Sequence, residues 1–251
     1  MLTYAVREDA AWLTIDRPDK LNAMTRGFFG ELEAAVAAAH EDRAIRAIVI
    51  HGAGTCFSVG GDIDGFGELT DAADRRSYVQ EAIRAFRAVE ECSKPVIAAV
   101  HGHALGGGCE LTISSDLVVA DGTARFGLPE SSVGLVPGPG VVRAPRHLSL
   151  HALKYLIFTG AVLDAEAAQR LGLVNEVVPA GDHVARAAEL AAIVAARSPL
   201  ALAAAKAFLN ADGWERLPHA VDMVALLQGS DDVAEGIAAF VGKRAPVFPS
   251  R

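Results

Sequence analysis

Cysteine is scarce in this chain: its 251 residues include only Cys56, Cys92 and Cys109. An odd number of cysteines without close paired spacing argues against a disulfide framework and against a zinc cluster. His101 and His103 have no third ligand near them in the sequence, so they predict structural histidines rather than a metal site. We therefore expect reduced thiols and no bound metal.

Long hydrophobic runs and a signal sequence are also missing. No apolar run reaches the roughly 18 residues of a membrane span, and the start, MLTYAVREDA, does not have the basic-then-apolar pattern of a signal peptide. Positive charge is low as well, with 23 scattered Lys and Arg against 31 Asp and Glu and a net charge of −8. These features predict a cytoplasmic protein that binds neither membrane nor nucleic acid.

The first half of the sequence alternates short apolar or β-branched runs with amphipathic stretches. This alternation is typical of an α/β layered fold. Strands are predicted over residues 11–15, 47–51, 95–100 and 117–120. We expect the helices between them to lie against the resulting sheet.

Two of those helices are defined by the spacing of their apolar residues. Thr25 can cap the first helix, whose apolar positions recur at helical spacing: Phe28, Phe29, Leu32 and Val36. The second helix is predicted over Asp71–Cys92, with Tyr78, Ile83, Phe86 and Val89 in one stripe.

The second part of the chain is rich in alanine and reads as mainly helical. After about residue 148 the strand signals become rare, and only residues 173–178 predict a further short strand. A chain of 251 residues usually forms one core, with or without a small appendage. We expect a core over residues 1–195 and a helical region over residues 196–251 that covers the site or drives oligomerisation.

Three glycine-rich passages follow predicted strands, at residues 54–66, 101–111 and 126–140. Glycine lets a backbone approach a ligand closely, and the amides at a helix N-terminus favour developing negative charge. Glu110 falls in the first turn of a predicted helix, and Glu130 lies in the third passage. Two carboxyl groups could therefore converge on one substrate as general acid and base.

Each signal also has an ordinary explanation when it is taken alone. A glycine run is commonly a tight turn, and a glutamate in a first helical turn commonly only complements the helix dipole. Residues 51–57, HGAGTCF, lack the last glycine of a dinucleotide-binding motif. Cys109 lacks the partners of a catalytic nucleophile, and Ser58 and Ser114 lack an esterase motif.

The sequence blocks together resemble the crotonase (enoyl-CoA hydratase/isomerase) superfamily, closest to its enoyl-CoA hydratases. The resemblance covers almost the whole chain and keeps the order of the family's blocks. These are DRPDKLNAM at 16–24, CFSVGGDI at 56–63, KPVIAAVHGHALGGGCEL at 94–111 and FGLPE at 126–130 with the following GLVPG. FTG, AQRLGLVNEVVP and the terminal EGIAAFVGKRAPVF are also similar.

The resemblance implies an oxyanion hole made by the backbone amides of Gly61 and Gly107. Gly61 stands where the family commonly has alanine. Family hydratases carry glutamates at the positions of Glu110 and Glu130, and both are present here. The implied reaction is addition of water across the C2–C3 double bond of an α,β-unsaturated acyl-CoA thioester, with coenzyme A as part of the substrate and no separate cofactor.

The resemblance further implies that the first glycine loop lines the coenzyme A path, through Ser58, Val59, Gly60, Asp62 and Ile63. Lys20 is the expected cation for the phosphates, ahead of Arg17, Lys206 and Lys243. Pocket walls are expected from residues 65–78 and from the C-terminal helices. After GLVPG many hydratases continue with glycine, threonine, glutamine and arginine, whereas this chain has PGVVRAPRHLS, so Val141 and Val142 are expected to alter the acyl end.

Two enzymatic alternatives and one binding alternative remain open. The same fold can isomerise an enoyl-CoA or dehydrate a hydroxyacyl-CoA in a biosynthetic pathway, with the same oxyanion hole. A third hypothesis is an acyl-CoA binding subunit without turnover, which the presence of both glutamates disfavours.

The family fold that the resemblance implies is a ClpP/crotonase-like spiral of repeated ββα units followed by a helical C-terminal region. That region builds homotrimers, which commonly pair into hexamers. By the same analogy, Phe240 and Lys243 are expected to complete the coenzyme A site of a neighbouring subunit.

Overall fold

In the computed structural model, which describes residues 1–67, 69–197, 199–210, 221–222, 225, 228–244 and 246, nine strands form two sheets. The strands are β1 Leu2–Arg7, β2 Ala10–Ile15, β3 Ala47–Gly52, β4 Val96–Val100, β5 His103–Leu105, β6 Leu117–Asp121, β7 Arg125–Gly127, β8 Val162–Asp164 and β9 Glu176–Val178. The larger sheet has the order β1-β2-β3-β4-β6-β9, and the smaller has the order β5-β7-β8. In the larger sheet only the β1–β2 pair is antiparallel.

Helices cover both faces of the larger sheet. The described part of the chain contains the helices α1 Arg26–Glu41, α2 Ile63–Phe66, α3 Ala72–Glu91, α4 Gly107–Ser114, α5 Gly138–Arg143, α6 Leu150–Thr159, α7 Ala165–Arg170, α8 His183–Ala195, α9 Pro199–Asn210 and α10 Asp231–Val241, of which α1 and α3 lie on one face of the sheet and α8 lies on the other. Among the described residues no single helix is long and apolar enough to cross a membrane, and only the pair α8 and α9, bent by 105°, passes on combined length and composition.

The core follows from the alternation of side chains along the strands. Leu13, Ile48 and Ile50 point to the face covered by α1 and α3, where the main hydrophobic core lies. Trp12 and Val49 point to the opposite face, which packs on the alanines of α8. Both faces of the parallel strands are therefore buried, which explains their nearly continuous apolar sequences.

The predicted strands at 11–15, 47–51, 95–100 and 117–120 are confirmed within a residue at each end. The predicted strand at 173–178 shrinks to β9. Thr25 stands at the N-cap of α1, but its side chain accepts no bond from the helix and instead donates to the sulfur of Met1. Asp71 caps α3 directly, since its carboxylate accepts a hydrogen bond from Asp74 N at 2.8 Å.

The smaller sheet brings the two later glycine passages side by side. Strands β5 and β7 run parallel, with Leu105 opposite Gly127. The chain leaves both strands at the same edge, so the segments that follow them are neighbours. An isolated bridge between Ser58 and Ala104 adds the first glycine loop to this edge.

The predicted division at residue 195 falls in the connection between α8 and α9. Part of the expected C-terminal region, including residues 211–220, lies outside the described residues. The division into a core and an oligomerisation region stays a prediction.

Candidate active site

The first glycine loop is held in place by Asn22, a buried residue that the sequence reasoning did not single out. Its side-chain amide donates to the carbonyls of Ala53 and Cys56, both at 2.8 Å. Its own carbonyl accepts from the hydroxyl of Ser58 at 2.8 Å, and that hydroxyl accepts from Gly60 N at 3.1 Å. The Asn22 backbone has a φ of 57°, a left-handed conformation that asparagine tolerates well. Its place in the block DRPDKLNAM was the available signal.

The first and second glycine loops touch each other through their backbones. A side-chain carbon added to Gly60 would lie only 2.8 Å from Gly107 N, and one added to Gly107 would lie 3.6 Å from Gly61 N. Gly60 also has a φ of 93°, which favours glycine. The approach therefore requires glycine at position 60 and brings the two predicted oxyanion donors close together.

The amides of Gly61 and Gly107 both point away from the protein's own acceptors. Met24 N donates to Gly60 O at 2.7 Å and Asp62 N donates to Met24 O at 2.9 Å, so this strand-like pairing turns Gly61 N to the other side. Gly107 is the first residue of α4, where helical amides have no partner within the helix. Within the described part of the chain neither amide donates a hydrogen bond. Two adjacent free donors can stabilise an oxyanion.

Glu110 lies in the first turn of α4 and is buried, with 6% of its surface exposed. Its Oε1 accepts a hydrogen bond from Gly140 N, in α5, at 2.8 Å. Burial raises the pKa of Glu110 to about 7, while the amides of Gly140 and Gly138 act in the opposite direction by stabilising the carboxylate. This pKa lies close to neutral pH, as a general base requires.

Glu130 lies in the 3-10 turn Pro129–Val133, directly after β7. Its Oε1 lies 3.2 Å from the place of a side-chain carbon on Gly106, at the second glycine loop. Its Oε2 is shielded from solvent and has no hydrogen-bond partner among the described residues. Burial first, and then the charge of Glu110, raise the pKa of Glu130 well above its usual range. The two carboxyl groups interact electrostatically, so the protonation state of one affects that of the other.

Two aromatic rings close the other side of Gly61. Phe66 and Tyr78 meet edge to face with ring centres 5.3 Å apart. A side-chain carbon on Gly61 would lie 3.0 Å from the Phe66 ring and 3.2 Å from the Tyr78 hydroxyl. Both residues belong to the stretch at 65–78 that was expected to form pocket walls, but sequence spacing did not indicate that they face Gly61.

The residues predicted to line the coenzyme A path lie in and just after the first glycine loop, where Ser58 and Gly60 are buried and Val59, Asp62 and Ile63 are partly buried. Ser58, Val59 and Gly60 belong to the first loop, Asp62 caps α2, and Ile63 begins that helix. Arg17 and Lys20 lie beside the same loop: the Arg17 guanidinium is 2.5 Å from the Asp62 carboxylate, and the Lys20 ammonium is 3.2 Å from Asp64. Their roles in binding stay predictions.

Lys206 lies elsewhere and contradicts the expectation that it helps to hold the phosphates. Its buried ammonium lies 2.6 Å from the Asp116 carboxylate and donates to the carbonyls of Val89 and Lys94 at 3.0 and 3.1 Å. All three of its protons are therefore used inside the fold. Lys243 is exposed just beyond α10.

The histidine and cysteine side chains for which the sequence predicts no chemical role pack against other parts of the fold. His101 stacks on His183 with ring centres 4.5 Å apart, and no group of three or more metal-binding side chains occurs among the described residues. Cys109 is 1% exposed, and burial raises the pKa of its thiol far above the usual range. Val141 and Val142 are partly buried and pack against the main hydrophobic core.

Comparisons with known proteins identify the family of this chain. Residues 6–251 match the family described as enoyl-CoA hydratase/isomerase. A crotonyl-CoA hydratase from Syntrophomonas wolfei is 35% identical over 97% of this chain and 96% of its own. A 2,3-dehydroadipyl-CoA hydratase from Escherichia coli is 37% identical over 95% of this chain and 94% of its own.

Solved structures of similar proteins extend the match to three dimensions. An enoyl-CoA hydratase from Mycobacterium avium subsp. paratuberculosis superposes with a TM-score of 0.89 at 28% identity, covering 99% of this chain and 98% of that one. A carnitinyl-CoA hydratase from Mycobacterium avium superposes with a TM-score of 0.88 at 35% identity, covering 100% and 98%. These matches confirm the crotonase-like fold, and the chain belongs to the enoyl-CoA hydratase/isomerase family.

Proposed function

We propose that this protein is an enoyl-CoA hydratase that adds water to an α,β-unsaturated acyl-CoA thioester. The observation that carries the proposal is the pair of buried carboxyl groups, Glu110 and Glu130, which lie beside two free backbone amides and both have a raised pKa. Two neighbouring buried carboxyl groups resist being ionised together, so one can act as a base while the other keeps its proton and acts as an acid. Family membership supplies the substrate class, since the family acts on acyl-CoA thioesters.

In the proposed reaction the thioester oxygen accepts hydrogen bonds from Gly61 N and Gly107 N. The ionised Glu110 takes a proton from water as the water oxygen bonds to C3. Electrons of the C2–C3 double bond move towards the thioester and form an enolate-like oxyanion. The protonated Glu130 then gives its proton to C2. Each amide donor is worth about 3 kcal/mol of barrier by analogy with oxyanion holes in other enzymes.

The first experiment follows the absorbance of the conjugated thioester of crotonyl-CoA. We expect rapid loss of absorbance with the wild type, and rates lower by about 10² to 10⁴ for Glu110→Gln and for Glu130→Gln. Glu166→Gln is the matched control, because Glu166 is an exposed glutamate in the first turn of α7. If Glu130→Gln retains most of the activity, the assigned acid is wrong.

Product analysis separates the alternatives. Hydration adds the mass of one water, whereas an isomerase moves the double bond without a change in mass. A biosynthetic dehydratase catalyses the reverse reaction, loss of water from a hydroxyacyl-CoA. The same assays are therefore also run with hydroxyacyl-CoA as the substrate. Tight binding of several enoyl-CoAs without conversion of any would instead favour a binding subunit. Relatives named for crotonyl and 2,3-dehydroadipyl thioesters support starting with enoyl substrates of both kinds.

We also propose that the protein forms a homotrimer or a dimer of trimers. Large apolar side chains are exposed on the C-terminal half, among them Phe158 at 75%, Leu200 at 82% and Phe240 at 62%. Such exposure in a single chain is typical of surfaces that meet another subunit. Sedimentation analysis tests the proposal, and a monomer at micromolar concentration would contradict it.

A further inference from the structure

The short helix α5 connects the proposed base to a buried ion pair. Near its start, Gly140 N donates to Glu110 Oε1 at 2.8 Å. At its end, the guanidinium of Arg143 forms a salt bridge with Glu90 of α3. Only two residues, Val141 and Val142, stand between Gly140 and the arginine, so the two are less than one helical turn apart.

Both charges of this pair are withdrawn from water. Arg143 is 2% exposed and Glu90 is 4% exposed. A buried charge is tolerated only when it is paired, and here the two side chains are in direct contact. Because α3 packs in the main core, through Ile83 and Phe86 among others, the pair anchors the end of α5 to a rigid element.

The other contacts of α5 are made by small or partly buried side chains. Its remaining buried residues are Gly138, Pro139 and Gly140, which carry little or no side chain to interlock with neighbours. Val141 and Val142 are only partly buried. A side-chain carbon on Gly140 would lie 3.1 Å from Glu110 Oε1, so the helix approaches the carboxylate closely and has little room to shift.

We infer that the Glu90–Arg143 pair is a positioning device for the proposed reaction, which holds the Gly140 amide against the carboxylate of Glu110. The inference rests on the proposed function for its catalytic consequence. Neither Glu90 nor Arg143 contacts the two free amides, and the pair acts through α5. Arg143 lies in the stretch PGVVRAPRHLS that follows GLVPG, whereas Glu90 lies in α3.

The pair makes a specific contribution to the ionisation of Glu110. A hydrogen bond from Gly140 N stabilises the charged carboxylate and lowers its pKa against the effect of burial. Loosening α5 weakens that bond, so the pKa of Glu110 rises. A smaller fraction of the enzyme then carries the ionised base at neutral pH.

The experiment compares Arg143→Lys with the double variant Glu90→Leu/Arg143→Met. The first keeps the charge but loses the planar fork, and the second replaces the ion pair with apolar side chains of similar volume, a change that folded proteins often tolerate. The pKa of Glu110 is read by NMR on protein labelled with carbon-13 at the glutamate carboxyls, and Glu110→Gln assigns its signal. This readout does not depend on turnover.

We expect the pKa of Glu110 to rise by about one unit in the double variant and by less in Arg143→Lys. The acid limb of kcat/KM for crotonyl-CoA should move to higher pH by the same amount, with kcat at pH 7 about fivefold lower and KM changed by less than about twofold. Glu91→Gln is the control, because Glu91 pairs with Arg87 on the exposed side of α3 and should move neither quantity.

Unchanged values of the Glu110 pKa in folded variants would overturn the inference. Absence of hydration by the wild type would overturn the proposed function alone, because the NMR titration still reports whether the pair controls Glu110. If the double variant does not fold, Arg143→Lys decides, since an unshifted pKa in that variant also contradicts the inference.

Discussion

Replacement of Gly61 by alanine tests the packing around the proposed oxyanion hole. The family commonly has alanine at this position, and the backbone of Gly61 has no positive φ, so the substitution is not strained by conformation. The added methyl carbon would lie 3.0 Å from the Phe66 ring and 3.2 Å from the Tyr78 hydroxyl. Ordinary carbon contacts are about 3.5 to 4.0 Å. The side chains of Phe66 and Tyr78 therefore occupy the space that the methyl group of an alanine at position 61 would need.

The magnitude follows from the overlap. Phe66 or the loop must move by about half an ångström, and overpacking of one methyl group costs about 1 to 3 kcal/mol of stability. The Gly61 amide itself is retained, so the hole is displaced rather than lost. We expect kcat/KM for crotonyl-CoA to fall about tenfold, less than the factor of about 10² to 10³ for removing a donor.

Phe66→Leu removes the ring atoms that the methyl group meets, so it should rescue Gly61→Ala. Thermal unfolding and kcat/KM are measured for wild type, both single variants and the double variant, which gives a coupling free energy of about 1 kcal/mol or more. Gly65→Ala is the matched control in the same loop, because no atom lies within 4 Å of its added carbon. Strict additivity of the two single effects would refute the reasoning.

Three further variants test other parts of the structure. Glu130→Gln should raise stability by about 1 to 2 kcal/mol at pH 8 and less at pH 5, because the native carboxyl keeps its proton above the ordinary pKa of 4.5 at which the unfolded chain loses it. Lys206→Met should lower the free energy of unfolding in urea by about 3 kcal/mol, since it leaves Asp116 without its cation. Cys109→Ala should keep kcat within about twofold and cost about 1 kcal/mol, because the thiol is buried and not a nucleophile.

For each of these variants, one result would contradict the prediction. A pH-independent melting temperature difference for Glu130→Gln would mean that its carboxyl ionises normally in the folded protein. Lys20→Met, which breaks an exposed pair, is the control for Lys206→Met and should cost less than about 1 kcal/mol. Equal costs for the two lysines would remove the structural role of Lys206. Loss of all activity in well-folded Cys109→Ala would require a chemical role for the thiol.

The sequence predicted the large sheet well because its inner strands are buried on both faces. Such strands are continuous apolar runs, as in residues 47–51 and 95–100. β1 was not predicted, although it pairs with β2 along its whole length, because its alternation of Leu2, Tyr4 and Val6 with more polar residues is short and most of its side chains are exposed. Strands β5, β7 and β8 have only three residues each, too few for a periodicity to show.

At the candidate site, the sequence indicated which residues matter but not how they are held. Glu110, Glu130, Gly61 and Gly107 were predicted from motifs, and the fold places them together. The contacts of Gly140 with Glu110 and of Lys206 with Asp116 join segments 30 and 90 residues apart. Spacing along one chain carries no signal for such pairs. The sequence therefore gave no sign that Lys206 is buried beside Asp116, and Lys206 was named as a weaker candidate than Lys20 for binding the phosphates.

The parallel pairing of β5 with β7 has a consequence for folding. The two carboxyl groups have no fixed separation until Leu105 and Gly127 are in register, and that pairing closes a loop over 20 residues long. The entropy cost of closing this loop is met before the contacts between the two strands contribute any stabilising free energy. Non-local strand pairs of this kind therefore form more slowly than helices. Helices alone would therefore leave Glu110 and Glu130 at no fixed distance, and the geometry of the proposed site depends on the register of these two short strands.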